Sequence, residues 1–253
     1  MTHLSLFSGI GGLDLAAHWA GFETIAFVER DEFCQKVLAK HWPGVPIYND
    51  VTTFDGTEFR GRTDVVSAGF PCQPHSLAGE RKGSDDERDL WSEVVRILRE
   101  AAPVWFLGEN VTGLFSSECG EYFGRIITDL DSLGYRTGWC CYGACDVDAP
   151  HERERVFIAA YAQGKRRAQT SELIVPGRQE RPRPPCPDRG DIWAEIKRNR
   201  DSENWEAFAS FPPRSDDGVP YRVDRLRALG NAVVPAQAYP ILQAIADEIR
   251  RAA

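Results

Sequence analysis

The segment that most constrains this chain is Phe7-Ser8-Gly9-Ile10-Gly11-Gly12, set between a short apolar strand, Leu4–Phe7, and a helical stretch, Leu13–Ala20. Glycines at a strand-to-helix turn let backbone amides approach a ligand closely, at the positive end of a helix. The turn belongs to an α/β layout, and the rest of the first half continues it. Thr24–Val28, Val65–Ala68, Val104–Leu107, Arg136–Tyr142 and Val156–Tyr161 read as strands. Between them, Asp31 can cap a helix with Phe33, Val37 and Leu38 on one face. Leu90–Ala101 carries a stripe of Trp91, Val94, Val95 and Leu98, and Tyr122–Leu133 suits a helix ended by Gly134. Strands separated by helices predict a mostly parallel sheet with helices on both faces.

The remainder differs. Five prolines fall between Pro176 and Pro187, interleaved with Arg178, Arg181, Arg183 and Arg189, so regular structure should be sparse there. Trp193, Trp205, Phe208 and Phe211 follow and can form a small core. A helical pattern returns after Val223, and Ala236–Arg251 should be the last long helix. Charge follows the same division. Residues 1–160 hold 14 Lys+Arg against 25 Asp+Glu, whereas residues 161–190 hold 7 against 3. The net charge of −8 argues against coating nucleic acid by bulk attraction, yet the basic later segment permits an anionic partner at one face.

With 253 residues, 42% hydrophobic and 27% charged, the chain is expected to be globular rather than disordered. It has no apolar run of membrane-spanning length and no secretory-signal pattern at its start. Seven scattered cysteines fit a reducing cytoplasm better than a disulfide framework. Cys140, Cys141 and Cys145 with His151 lack the spacing of a zinc ribbon or finger and read as core, so no metal site is expected.

Four further elements sit where chemistry is done. Gly69-Phe70-Pro71-Cys72-Gln73-Pro74 follows a buried strand, with two prolines bending the backbone around Cys72. A cysteine at the C-terminal end of a parallel strand stands where α/β sheets hold ligands. Gly108-Glu109-Asn110-Val111 lies at another strand end, so Glu109 should stand beside Cys72. His151-Glu152-Arg153-Glu154-Arg155 leads into a strand, its two arginines projecting to one side. Gly230-Asn231-Ala232-Val233-Val234-Pro235 enters the last helix. Each element has a bland alternative: a tight turn, a structural cysteine, a solvated carboxylate, a charge run, an ordinary helix start.

Together and in this order, the five elements resemble the DNA (cytosine-5) methyltransferase family over Leu4–Tyr161 and Arg222–Ile245, and chance agreement across all five is not a serious rival. The resemblance implies a Rossmann-like, S-adenosylmethionine-dependent methyltransferase sheet built from residues 1–161 and 222–253, with residues 162–221 as a small target-recognition insert. It implies a cofactor pocket made by Phe7, Ser8, Gly9, Gly11 and Gly12, with Glu29 on the ribose and Asp50 with Val51 at the adenine. Pro71 lines the methionine side, and Asn231 and Val233 close the pocket. It further implies that Cys72 adds to C6 of a flipped-out cytosine, Glu109 serves N3, and Arg155, supported by Arg153, holds the ring carbonyl.

The substrate so implied is double-stranded DNA. A monomer in the cytoplasm of a bacterial or phage-infected cell is expected, within or outside a restriction-modification pair. Two departures stand out: His75 where the family usually has Phe, and His151 where a Gln commonly begins the arginine element. A tRNA cytosine-5 methyltransferase shares most of these motifs, and a non-catalytic DNA-binding protein could use the same scaffold.

Overall fold

The computed structural model describes residues 1–71, 90–147, 149, 151–164 and 222–252. Its centre is a seven-stranded sheet. The strands are β1 (Thr2–Leu6), β2 (Glu23–Val28), β3 (Ile47–Tyr48), β4 (Val65–Ala68), β5 (Trp105–Val111), β6 (Tyr135–Tyr142) and β7 (Arg155–Ala162). Their order is β3-β2-β1-β4-β5-β7-β6. The first five run parallel, and β7 is antiparallel to both β5 and β6. The described helices are α1 (Gly12–Trp19), α2 (Glu32–His41), α3 (Trp91–Ala101), α4 (Glu121–Ser132), α5 (Arg222–Asn231) and α6 (Pro235–Ala252). None is long and apolar enough to cross a membrane.

Strand alternation sends successive side chains to opposite faces, and each face has its own core. On one, Leu4, Leu6, Val66, Phe106 and Ile158 meet Trp91, Val94 and Leu98 of α3 and Tyr122, Ile126 and Leu130 of α4. On the other, Val65, Leu107 and Phe157 meet Leu13, Ala16 and Ala17 of α1 and Ala238, Ile241, Leu242 and Ile245 of α6. Each fully buried Leu or Ile contributes about 1.5–3 kcal/mol by leaving water. The small residues of α1 let α6 lie close against it, which carries the end of the chain back to its beginning.

Two expectations are revised, and one strand was not anticipated. β5 runs on to Val111 rather than ending at Leu107, because the antiparallel partner β7 keeps pairing it: Glu109 lies opposite Phe157 and Val111 opposite Arg155. β3 has two residues, too few for any periodicity. In α2 Asp31 does cap the helix, its carboxylate accepting from Cys34 N at 3.0 Å. Its buried side is Cys34 and Leu38, while Phe33 and Val37 line cavities beside the glycine turn. The proline- and arginine-rich stretch and its following aromatics lie outside the described residues.

Between α1 and the sheet sits a polar cluster with no exposed surface: His3, Ser5, Asp14 and Ser67, joined by the nearly buried Thr24. His3 Nδ1 lies 3.0 Å from Thr24 Oγ1, and Nε2 lies 2.7 Å from Ser67 Oγ. Ser5 Oγ donates to Asp14 Oδ2 at 3.1 Å. Burial pushes His3 down to about 3 and Asp14 up to about 7, so between about pH 4 and 6.5 the 3.5 Å contact between them joins a neutral imidazole and a carboxylic acid.

The two shifts oppose each other. Asp14, raised, favours the fold at low pH and loses that contribution as pH rises through about 7. His3, lowered, favours the fold above its ordinary value and loses that contribution as pH falls toward about 3. From about pH 4 to 6.5 the folded and unfolded pairs hold the same number of protons, and this pair adds no slope to stability. Asp14→Asn should leave His3 uncompensated. Relative to the parent, its unfolding free energy should fall by about 1.4 kcal/mol for each pH unit of acidification in that window. Urea melts at several pH values measure this, and a constant difference would show that the pair is charged.

Candidate active site

The parallel strands β2, β1, β4 and β5 end on one edge of the sheet, and the antiparallel β7 begins there. The glycine turn leaves β1 on this edge. Phe7 takes a left-handed φ of 53° and Gly11 caps α1 at φ 87°. A Cβ on Gly11 would strike the Trp42 ring at 2.6 Å, and one on Gly12 would run into the Val233 carbonyl oxygen. Glycine is therefore required at both places by what packs against them. At the end of β2, Glu29 Oε2 accepts from Gly9 N at 2.7 Å and Oε1 accepts from Asp31 N at 2.7 Å. The carboxylate is locked across the turn, with lone pairs remaining for two further donors. Gln35 Nε2 fixes the same corner by donating to the Glu29 carbonyl at 2.7 Å and to Asn49 Oδ1 at 3.2 Å.

Asp50 follows β3. Its Oδ1 accepts from Thr52 N at 2.9 Å and Thr52 Oγ1 at 2.8 Å, which hold it below the ordinary carboxylate range. Val51 is buried in the core beneath it. Val233 packs onto the second core, and Asn231 ends α5 on the surface. A cavity of about 1070 Å³ runs from Gly11 and Gly12 to Ala232 and Val233, and another of about 910 Å³ opens beside Glu29 and Asp31. An acceptor pair at Glu29 and an acceptor at Asp50 suit a nucleoside with a ribose diol and an exocyclic amine.

Glu109 is the chemically distinctive group. It is 8% exposed, and its Oε1 lies 3.0 Å from Arg155 Nε. The two residues stand on one face of adjacent strands, one diagonal step apart in the β5–β7 register. Burial pushes the Glu109 carboxyl up to about 7, against the opposing pull of Arg155 and then Arg153. The β4 exit runs directly against it, since a Cβ on Gly69 would stand 3.5 Å from Glu109 Oε2. Asn110, 3% exposed, donates through Nδ2 to the Phe70 carbonyl at 3.1 Å and accepts from Val111 N at 2.8 Å. Sequence reasoning did not assign Asn110 a role. Its signal was its place beside Glu109 at a strand end.

Pro71 is the last described residue of that exit; Cys72 and His75 lie outside the described residues. The two arginines do not project to one side, as their alternation suggests. Arg153 adopts φ 36° ahead of β7, and its Nη2 donates to the carbonyls of Gly230 at 2.9 Å and Ala232 at 2.6 Å. Only Arg155 turns to Glu109. The reason is local: strand alternation begins at Arg155, and Arg153 precedes it in a left-handed bend. His151 is exposed and lines the cavity with Arg153. Partial burial, then Arg153 and Arg155, hold its imidazole below the ordinary value. Among the described residues, no group of three or more His, Cys, Asp or Glu side chains is placed to hold a metal.

Comparison with known proteins agrees with this arrangement. Residues 1–210 match the family C-5 cytosine-specific DNA methylase. The chain is 36% identical over 179 residues to the type II methyltransferase M.AquIA of Picosynechococcus, covering 64% of this chain and 72% of that protein. It is 34% identical over 160 residues to M.NgoMIV of Neisseria gonorrhoeae, covering 63% of this chain and 51% of that protein. M.PspPI of Psychrobacter is 36% identical over 158 residues, covering 61% of this chain but 38% of its own length. The match thus spans about half the length of M.NgoMIV and well under half of M.PspPI.

Among solved structures, a DNA modification methyltransferase encoded within an E. coli prophage superposes with a TM-score of 0.58 and 26% identity. That match covers 68% of this chain and 50% of the other. Spodoptera frugiperda DNMT2, at 22% identity and a TM-score of 0.55 over 65% of this chain and 50% of its own, shares the fold. With its Rossmann-like sheet, its glycine turn and its buried Glu109–Arg155 pair, the chain belongs to the C-5 cytosine-specific DNA methylases, which use S-adenosylmethionine.

Proposed function

We propose that this chain methylates C5 of a cytosine flipped out of double-stranded DNA, through a transient covalent bond from Cys72. The observation that carries the reading is the buried Glu109, held near neutrality in its proton affinity beside a fixed guanidinium. A surface carboxylate would be ionised at neutral pH and could not donate a proton to a ring nitrogen.

S-adenosylmethionine supplies the methyl group as an electrophile on a sulfonium sulfur. Phe7, Ser8, Gly9, Gly11 and Gly12 would hold it, with Glu29 at the ribose, Asp50 and Val51 at the adenine, Pro71 along the methionine side, and Asn231 and Val233 closing the pocket. C5 of cytosine is a poor nucleophile. Addition of the Cys72 thiolate to C6 turns the ring into an enamine with carbanion character at C5. Glu109 donates its proton at N3 and relieves the charge that addition creates, and its other oxygen accepts from the exocyclic amine. Arg155 donates to the ring carbonyl oxygen, where charge also develops. Once C5 carries the methyl, its proton passes to a water base, the C6–S bond breaks as Cys72 leaves as thiolate, and N3 returns its proton to the Glu109 carboxylate. The base must leave the stack to reach these groups, at a cost of about a few kcal/mol. Residues 162–221 serve as the recognition insert, whose arginines can contact phosphates or guanine edges.

Duplex DNA carrying 5-fluorocytosine should trap a covalent adduct with the native protein and S-adenosylmethionine, because fluorine cannot leave as the proton does. Cys72→Ser should form none, and methyl incorporation into tRNA but not duplex DNA would overturn the substrate assignment. The pH profile gives a separate check. As pH rises through about 7, Glu109 loses the proton it must donate, so kcat/KM should decline on that limb. Glu109→Gln should lower the rate by about 10²–10⁴-fold and abolish that alkaline decline. A profile that keeps the same limb in the variant would assign the titration to another group.

A further inference from the structure

Gln237 has no exposed surface, and its Nε2 donates to the carbonyl of Arg153 at 3.0 Å. The Arg153 guanidinium answers in the opposite direction, donating to the carbonyls of Gly230 and Ala232. The first of these belongs to the last turn of α5, where helix carbonyls lack partners within the helix and a cation is favoured. The bonds cross one gap in both senses, joining residue 153 to the stretch from 230 to 237. They also fix Arg153 in its left-handed conformation, which costs about 1–3 kcal/mol for a residue with a side chain and persists only where its surroundings impose it. On one side of this joint, Val233 abuts Gly12 of the cofactor turn. On the other, two residues along the chain, Arg155 meets Glu109.

We infer that Arg153 and Gln237 form a latch that fixes the C-terminal wall of the cofactor pocket to the strand carrying Arg155. Arg153 is thereby a positioning residue for cofactor binding and makes no contact with the target base. This rests on the proposed role of Asn231 and Val233 as the wall of that pocket. The alternative, a second arginine on the cytosine, requires a free edge of the guanidinium: the Arg153 charge does reach Glu109, but Nη2 is committed to two carbonyls of the opposite segment and Nε is buried.

The test uses the full chain with Arg153→Met, Gln237→Met, the double variant and Arg153→Lys. In the protein alone, hydrogen exchange at the amides of Ala232 and Gln237 should quicken in both single variants. In methylation assays, KM for S-adenosylmethionine should rise by about tenfold or more, the loss expected for hydrogen bonds to a charged group, and by a larger factor than kcat falls. The double variant should be no worse than Arg153→Met, since both break one joint, and Arg153→Lys should recover part of the affinity. Unchanged exchange, or additive losses in the double variant, would overturn the latch. A collapse of kcat and of the 5-fluorocytosine adduct with KM for cofactor unchanged would return Arg153 to the base. Should the native chain transfer no methyl at all, the enzymatic reading fails while the exchange comparison still decides whether the latch exists.

Discussion

The antiparallel register of β5 and β7 is the constraint from which the rest of the site follows. A parallel strand beside β5 would finish at this edge, and its last residues would point onward into a loop. An antiparallel strand begins there instead, so its first residue, Arg155, is held by the ladder as firmly as its middle. Glu109 is likewise inside the strand. A carboxylate and a guanidinium drawn from two rigid backbones keep their relative position without further side-chain ordering. Their burial is costly for charge, and that cost is what leaves Glu109 able to carry a proton near neutrality.

The second dependence is topological. α6 packs on α1 through alanines and branched apolar residues, so the turn ahead of α6 lands on Gly12. Arg227 adds a polar tie, donating to Asp31 at 2.6 Å across 196 residues of sequence. That pair is exposed and contributes little to stability. Its geometric effect is larger, since it draws α5 toward the cap of α2 at the same corner that Glu29 occupies.

Much of this was legible beforehand because the elements obey local rules. The Asp31 cap, the stripe of α3 and the short buried strands β1 and β4 follow from local sequence alone. Glycine positions were visible, but their reason was not. Trp42 against Gly11 and the Val233 carbonyl against Gly12 are contacts between distant parts of the chain. The same limit explains Val104–Leu107 as the expected strand: the three residues from Glu109 to Val111 are strand because β7 is there to pair them. It also explains Arg153, where alternation predicted a shared direction and a left-handed bend broke the alternation. Asn110 and Gln237 are ordinary amides in sequence, and only burial with a single well-placed carbonyl marks them.

The seat of α1 on the sheet differs in kind from the other helix contacts. Greasy surfaces attract without direction, and a helix resting on them can slide or roll by a fraction of an ångström at little cost. The His3–Ser5–Asp14–Thr24–Ser67 cluster replaces part of that surface with bonds whose angles matter. Displacement of α1 would strand donors and acceptors where no water reaches them. The helix therefore has one bearing on the sheet, and the amides at its tip keep a single direction.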